Sequence, residues 1–157
     1  MDVLYEAVWP KLEARWEWAE ENFPEGIARL LPQERQALAL WWLEAECNNG
    51  TLNQFFSNHA GEYALTALEG LRRLQLPKVY AALHSAVAYF GEHYPVDRDE
   101  RMEKLWAIEE QYGNDVFDEA NEIITGEADE VYFMDAVLAE LDQLYRENPE
   151  LLEQAAA

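Results

Sequence analysis

The sequence contains a single cysteine, Cys47, so no disulfide can form within the chain. Cys47 lies in an apolar stretch with helical spacing, which favours a buried and unreactive thiol. No window approaches the roughly 18 consecutive apolar residues of a membrane span. The first residues also lack the basic and then apolar pattern of a secretion signal. These absences predict a cytoplasmic protein that does not enter a membrane.

Basic residues are scarce, since 11 lysines and arginines stand against 32 aspartates and glutamates, a formal net charge of -21. The imbalance is greatest in residues 105–157, which contain 15 acids and one base, Arg146. Such a surface repels nucleic acid and anionic membranes, so direct binding to either is not expected. Because like charges destabilise a compact state, their retention suggests a strongly positive partner, typically a protein surface that holds nucleic acid.

Proline and glycine are few, at six and seven, and most lie where a helix would begin or end. No alternating strand pattern of any length is present, whereas apolar residues recur at helical spacing along the whole chain. Half of the residues are apolar, and the aromatic residues comprise six Trp, eight Tyr and six Phe. This composition is unlike that of disordered acidic chains. The sequence predicts an all-α fold, a single compact domain of about eight helices.

Prolines and turn residues predict the helix boundaries. A first helix is expected near residues 2–22, with a break or kink at Pro10, or with its true start there. Pro32 suits the first turn of another helix, and Asn48-Asn49-Gly50 is a strong signal for its end. A later helix is expected over residues 114–124.

The helix predicted over 114–124 carries an acidic stripe. Asp115, Asp118, Glu119 and Glu122 fall at i, i+3, i+4 and i+7, which places them on one side of the helix. They span a rise of roughly 10.5 Å, or about one charge per 3.5 Å. One DNA strand presents a phosphate about every 3.4 Å along the helix axis. No lysine or arginine interrupts the stripe, although carboxylates four residues apart repel one another.

Three further acids, Glu127, Asp129 and Glu130, crowd the segment before the last long helix, where the helix dipole favours negative charge. For each acid taken alone, helix capping or a solvated surface is the simpler interpretation. The fifteen acids of residues 105–157 taken together favour a functional role instead. A salt-adapted proteome is another source of acidity, but 24 of the 32 acids are glutamate and bulky aromatic residues are plentiful, which argues against it.

A second distinctive stretch, ECNNGTLNQFFSN, runs from Glu46 to Asn58. It resembles the hallmark segment of the bacterial DNA-mimic protein domain family, E-x-x-x-G-G-Φ-x-Q-Φ-Φ-x-N with an asparagine before the glycines. Thr51 departs from the second glycine. Weaker similarity extends over about residues 37–151. The matching residues are Glu46, Asn49, Gly50, Leu52, Gln54, Phe55, Phe56 and Asn58.

The resemblance implies a helical domain whose acidic surface imitates the phosphates of duplex DNA. Such proteins occupy the DNA site of a basic partner, for example a transcription factor, and can form homodimers. It also suggests a division of the single domain into an N-terminal helical extension over 1–36, a DNA-mimic-like core over 37–151 and a frayed tail over 152–157.

The motif residues are interpreted as structural. Asn49 and Gly50 would form a tight turn, and the two phenylalanines would enter the core. Gln54 and Asn58, four residues apart, could satisfy buried backbone groups across the turn. The alternative is a ligand or partner site built from Asn49, Gln54 and Asn58.

No catalytic or metal-binding pattern is evident. His59, His84 and His93 are scattered, without zinc-site spacing, and there is no EF-hand, phosphate loop or nucleophile motif. The sequence therefore predicts a protein without enzymatic activity, metal or cofactor. Its predicted function is to bind a basic DNA-binding protein through its acids. The alternative is an immunity or adaptor protein that recognises its partner by shape.

Overall fold

The structure, a computed structural model, describes residues 3–126 and 133–153. Within these ranges the chain forms ten α-helices, one short 3-10 helix and no strand, which confirms the all-α prediction. None of the described helices is both long and apolar enough to cross a bilayer. The elements are α1 (Val3–Glu21), α2 (Glu25–Arg29), α3 (Pro32–Asn49), α4 (Leu52–Ser57), the 3-10 helix (His59–Tyr63), α5 (Ala64–Arg73), α6 (Pro77–Ala88), α7 (Arg98–Tyr112), α8 (Asp118–Thr125), α9 (Met134–Glu147) and α10 (Glu150–Glu153).

The two helices beyond the predicted eight are short. Helix α2 lies between the first predicted helix and the helix that begins at Pro32, and α10 begins directly after Pro149. Residues 152 and 153, expected to fray, belong to α10, because Leu152 is buried against the core. The remainder of the expected tail, residues 154–157, lies outside the described residues.

Pro10 neither breaks nor starts the first helix, since α1 is continuous from Val3 to Glu21. A proline inside a helix removes one backbone hydrogen bond and costs about 3 kcal/mol. Leu12, Trp16 and Ala19 are buried on the core side of the same helix. Their burial offsets this cost, because each large apolar side chain contributes roughly 1.5–3 kcal/mol.

Helix α3 is the centre of the single core. Its Leu38, Leu40 and Leu43 are buried, and it contacts α4, α5, α8, α9 and the 3-10 helix. Pro32 opens α3 at its first position and Gly50 follows its last residue, as the sequence predicts. Because α3 touches both early and late elements, the described helices form one domain.

A buried ion pair connects α1, α3 and α9. Arg15 of α1 donates from Nε and from the second guanidinium nitrogen to the two carboxylate oxygens of Glu34, at 2.5 and 2.9 Å. The Tyr145 hydroxyl of α9 donates to Glu34 at 2.5 Å, and the backbone N–H of Leu31 donates to it at 3.0 Å. Glu34 has no exposed surface. The hydrogen bond to Glu34 raises the pKa of Arg15 above its ordinary value, so the charged pair is retained inside the protein.

Three buried tyrosines, Tyr63, Tyr94 and Tyr145, predict a loss of stability at alkaline pH. Burial raises the pKa of each phenol above the ordinary value of 10.0. Above about pH 10 these tyrosines ionise in the unfolded chain but stay neutral in the native protein. The free energy of unfolding should therefore be constant with respect to these groups below that pH and fall as the pH rises further.

Urea unfolding at a series of pH values from 8 upwards, with phenolate absorbance recorded alongside helical circular dichroism, measures this effect. Part of the phenolate signal should appear only together with loss of helix. Titration of all eight tyrosines near pH 10 with the helix signal intact would contradict the prediction.

Candidate functional site

The motif residues Gln54 and Asn58 hold a buried carboxylate. Glu46 of α3 is 8% exposed, and its Oε2 accepts hydrogen bonds from Gln54 Nε2 and Asn58 Nδ2, both at 2.9 Å. The expectation that these two side chains satisfy backbone groups was wrong in this respect. A buried carboxylate without hydrogen-bond donors destabilises the fold more than an unsatisfied backbone group does. The two amides therefore donate to the Glu46 carboxylate and connect α4 to the end of α3.

Gly50 provides the space for this arrangement. A Cβ atom at position 50 would lie 2.1 Å from Oε1 of Gln54. A side chain at this position would therefore displace the Gln54 amide that donates to Glu46. Asn49 is the last residue of α3 and is exposed, so Asn49 and Gly50 do lie at the predicted turn between the two helices.

A buried arginine also holds the C-terminal end of the motif. Arg101 of α7 has no exposed surface and donates to the carbonyl oxygens of Phe56 at 2.7 Å, Asn58 at 2.8 Å and Val96 at 2.8 Å. Gly61 makes room for it, because a Cβ there would lie 2.5 Å from Nε of Arg101. Sequence analysis missed this role, since a lone arginine in a charged helix gives no local sign of burial.

The motif also positions the acidic helix. Phe55 and Phe56 are fully buried, as predicted. The Phe56 ring lies 5.2 Å from the ring of Phe117, which directly precedes α8. Ile124 buries the other end of α8, and the helix contacts α6, α3 and α4. The acidic face is thus carried by a helix that is anchored at both ends.

The structure places three of the predicted stripe residues on α8 and one before it. Asp118, Glu119 and Glu122 are exposed on the helix. Asp115 is exposed in the preceding turn, where its carbonyl accepts from the backbone N–H of Asp118 at 3.0 Å. The helix expected from residue 114 begins later because Gly113, with φ of +97°, ends α7 and the chain then turns.

The other predicted residues, Glu127, Asp129 and Glu130, lie outside the described residues. The prediction that they belong to the same surface therefore remains a prediction.

The four acids Asp115, Asp118, Glu119 and Glu122 are hereafter called the acidic patch. Among the described residues none of them forms an ion pair, whereas three later acids are paired. The pairs join Arg73 to Glu140 at 2.5 Å, Arg146 to Asp142 at 3.0 Å and Lys11 to Glu153 at 3.0 Å. Arg73 and Lys11 from the N-terminal part, and Arg146 of α9 itself, therefore pair with three acids of α9 and α10. No described base forms an ion pair with the acidic patch.

Helix capping explains only part of the acidic patch. Asp118 and Glu119 occupy the first turn of α8, where negative charge complements the helix dipole. Glu122 lies towards the opposite end, where its carbonyl already accepts from Gly126 N–H and the dipole disfavours a carboxylate. Stability alone therefore does not account for Glu122.

Comparison with known proteins supports a family assignment. No curated protein and no solved structure matches the chain. The sequence model of the DMP19-like protein family matches residues 28–157, which leaves all of α1 and most of α2 outside the match. This range covers the motif, the acidic patch and the greater part of the core. The family predicted from the sequence is thereby confirmed, and the chain belongs to the DMP19-like protein family.

Proposed function

We propose that this protein is a DNA mimic that acts in the cytoplasm by occupying the nucleic-acid site of a basic DNA-binding protein, such as a transcription factor. Its mechanism is competition, without catalysis. The observation that carries the proposal is the acidic patch, which is exposed and has no ion pair within the part of the chain that the structure describes. It lies on the anchored helix α8 and in the turn before it. Membership of a family of DNA mimics gives independent support.

The charge density of the acidic patch suits this mechanism. From Asp118 to Glu122 the helix rises roughly 6 Å, so its three carboxylates recur about once per 3 Å along the helix axis. One DNA strand presents a phosphate about every 3.4 Å along its own axis. Asp115 adds a fourth charge beside the N-terminus of α8. Lysines and arginines that normally meet phosphates would meet these carboxylates, and Glu127, Asp129 and Glu130 would extend the surface.

The test compares two variants that each remove four negative charges. The first is Asp115→Asn, Asp118→Asn, Glu119→Gln and Glu122→Gln. The matched control is Asp99→Asn, Asp135→Asn, Glu69→Gln and Glu92→Gln, which changes four exposed acids away from the acidic patch. Every substituted side chain is exposed, so both variants should retain the helical circular dichroism of the native protein.

Proteins captured from a lysate at low salt would be purified and tested for displacement of fluorescent duplex DNA. The acidic-patch variant should displace DNA about tenfold more weakly than the native protein. The control variant should displace DNA with a potency within about twofold of that of the native protein. Native binding should weaken sharply as salt is raised towards about 0.5 M, because screening is strong there. Equal displacement by both variants would contradict the proposal.

Binding that survives high salt and that DNA does not compete with would favour the immunity or adaptor function instead. Formation of a homodimer, which the resemblance allows, stays a prediction.

A further inference from the structure

A second surface, remote in sequence from the acidic patch, is lined by tryptophan. Helices α1 and α3 border an open cavity of about 400 Å³, within the range of roughly 300–1,000 Å³ that small-ligand sites occupy. Four of its lining residues are Trp9, Trp16, Trp41 and Trp42. We call this cavity the tryptophan groove.

The four rings form a connected and steeply angled set. The ring centroids of Trp9 and Trp16 are 6.1 Å apart with an angle of 83° between their planes. Those of Trp41 and Trp42 are 5.2 Å apart, also at 83°, and Trp41 lies 6.4 Å from Trp9. All four residues line the same cavity, and aromatic rings around a shared space are what proteins use to bind an organic cation.

Carboxylates complete the lining of the tryptophan groove. Glu13, Glu17, Glu20 and Glu21 all line it, and no basic residue is among the lining residues that the structure describes. Glu20 is held in place, because it accepts from Trp42 Nε1 at 3.1 Å and from the Tyr63 hydroxyl at 3.3 Å. The other three are exposed, and none of the described residues forms an ion pair with them. The groove is therefore both aromatic and strongly negative.

Trp16 gives an independent sign of a missing partner. It is 4% exposed and lines the groove, yet its Nε1 has no hydrogen-bond acceptor among the described residues. Buried donors are nearly always paired in folded proteins. The unpaired indole nitrogen therefore belongs to a residue that lines the groove.

The residues of α1 that line the groove form a pattern in the sequence, but this pattern did not lead to a predicted site. Trp9, Glu13, Trp16, Glu17, Glu20 and Glu21 fall at i, i+4, i+7, i+8, i+11 and i+12, which is one face of a helix. This face belongs to α1, outside residues 28–157 that match the family. The groove therefore lies between α1, which is outside the family match, and α3, which is inside it.

We propose that the tryptophan groove binds the guanidinium group of an arginine side chain presented by a protein partner. A guanidinium is planar, stacks on indole faces and is less strongly hydrated than an ammonium group, so it enters an aromatic site more readily than lysine does. Its N–H groups can pair with carboxylates in a bidentate manner.

The experiment uses N-acetyl-arginine amide as the probe and the full-length ¹⁵N-labelled protein. Titration is followed through the indole N–H resonances of the six tryptophans. Resonances of the four groove tryptophans should shift with a common affinity, while that of Trp106, which is on α7 and exposed, should stay in place. N-acetyl-citrulline amide, the neutral analogue of similar shape, should cause no such shifts. N-acetyl-lysine amide and tetramethylammonium should bind more weakly than the arginine probe.

Two variants with the same change of charge test the carboxylates. Glu13→Gln, Glu17→Gln and Glu21→Gln together should weaken binding of the arginine probe by about fivefold or more. The control alters three exposed acids on α7, as Glu100→Gln, Glu103→Gln and Glu110→Gln. It should bind the arginine probe with an affinity within about twofold of that of the native protein. Equal weakening by both variants, equal shifts with citrulline amide, or tighter binding of lysine amide or tetramethylammonium would overturn the proposal.

This test is separate from that of DNA mimicry, because the probe is a free amino-acid derivative and no DNA-binding protein is present. Loss of the arginine site would leave the displacement of DNA by the acidic patch unaffected. Failure of the acidic patch to displace DNA would likewise leave the titration of the groove unchanged.

Discussion

Replacing Glu34 with leucine is expected to lower the free energy of unfolding by about 3–5 kcal/mol. Glu34 is completely buried and accepts two of the hydrogen bonds that the guanidinium of Arg15 donates, and Arg15 is itself 6% exposed. Without the carboxylate, Arg15 keeps its charge but loses these two hydrogen bonds, and its bond to the carbonyl of Leu151, at 2.7 Å, does not replace the lost negative charge. The Tyr145 hydroxyl loses its acceptor at the same time. Urea unfolding followed by circular dichroism measures the change.

The control removes both charges of the pair. The double variant Arg15→Met, Glu34→Leu leaves no unpaired ion, so it should be more stable than Glu34→Leu alone. This comparison remains informative if the single variant fails to fold, because the double variant should then restore folding. A single variant that loses less than about 1 kcal/mol, or a double variant no more stable than the single one, would contradict the role assigned to the ion pair.

Replacing Arg101 with methionine is expected to lower the free energy of unfolding by about 3 kcal/mol. The guanidinium of Arg101 donates to carbonyls at the end of α4 and in the loop before α7. Methionine keeps the length of the side chain but donates no hydrogen bond. Each buried carbonyl left unsatisfied costs about 1–3 kcal/mol, and removal of a buried charge recovers part of this loss.

Arg98 supplies the matched control, because it lies on the same helix, is exposed and donates to one carbonyl, that of Ser57, at 2.9 Å. Arg98→Met should cost less than about 1 kcal/mol. Gly61→Ala should destabilise in the same direction as Arg101→Met, since its Cβ would displace the guanidinium. Equal effects of Arg98→Met and Arg101→Met would show that burial of Arg101 has no special importance.

These buried polar groups connect the motif to the acidic patch. Glu46 accepts from the side chains of Gln54 and Asn58, and Arg101 donates to the carbonyls of Phe56 and Asn58. Helix α4, held in this way, presents Phe56 to Phe117 at the start of α8. The interpretation of the motif as structural is consistent with this geometry. It also explains how a motif in the first half of the chain positions carboxylates more than 50 residues later.

The sequence by itself determined the fold class, most helix boundaries, the family and the concentration of negative charge in the last third. These properties are local or compositional: helical periodicity, prolines and glycines at helix ends, and a short motif are each read within about a dozen residues. For the same reason the acids of α8 were identified, although the start of that helix was placed too early.

Only the tertiary structure decided which polar groups are buried and what they contact. The Tyr145 hydroxyl and Glu34 are 111 residues apart, and Arg101 is 45 residues from the carbonyl of Phe56. The continuity of α1 through Pro10 likewise depends on burial against the core, and the tryptophan groove needs α1 and α3 together. Whether a charge is solvated or enclosed is set by all the elements packed around it, and no window of the sequence contains them all.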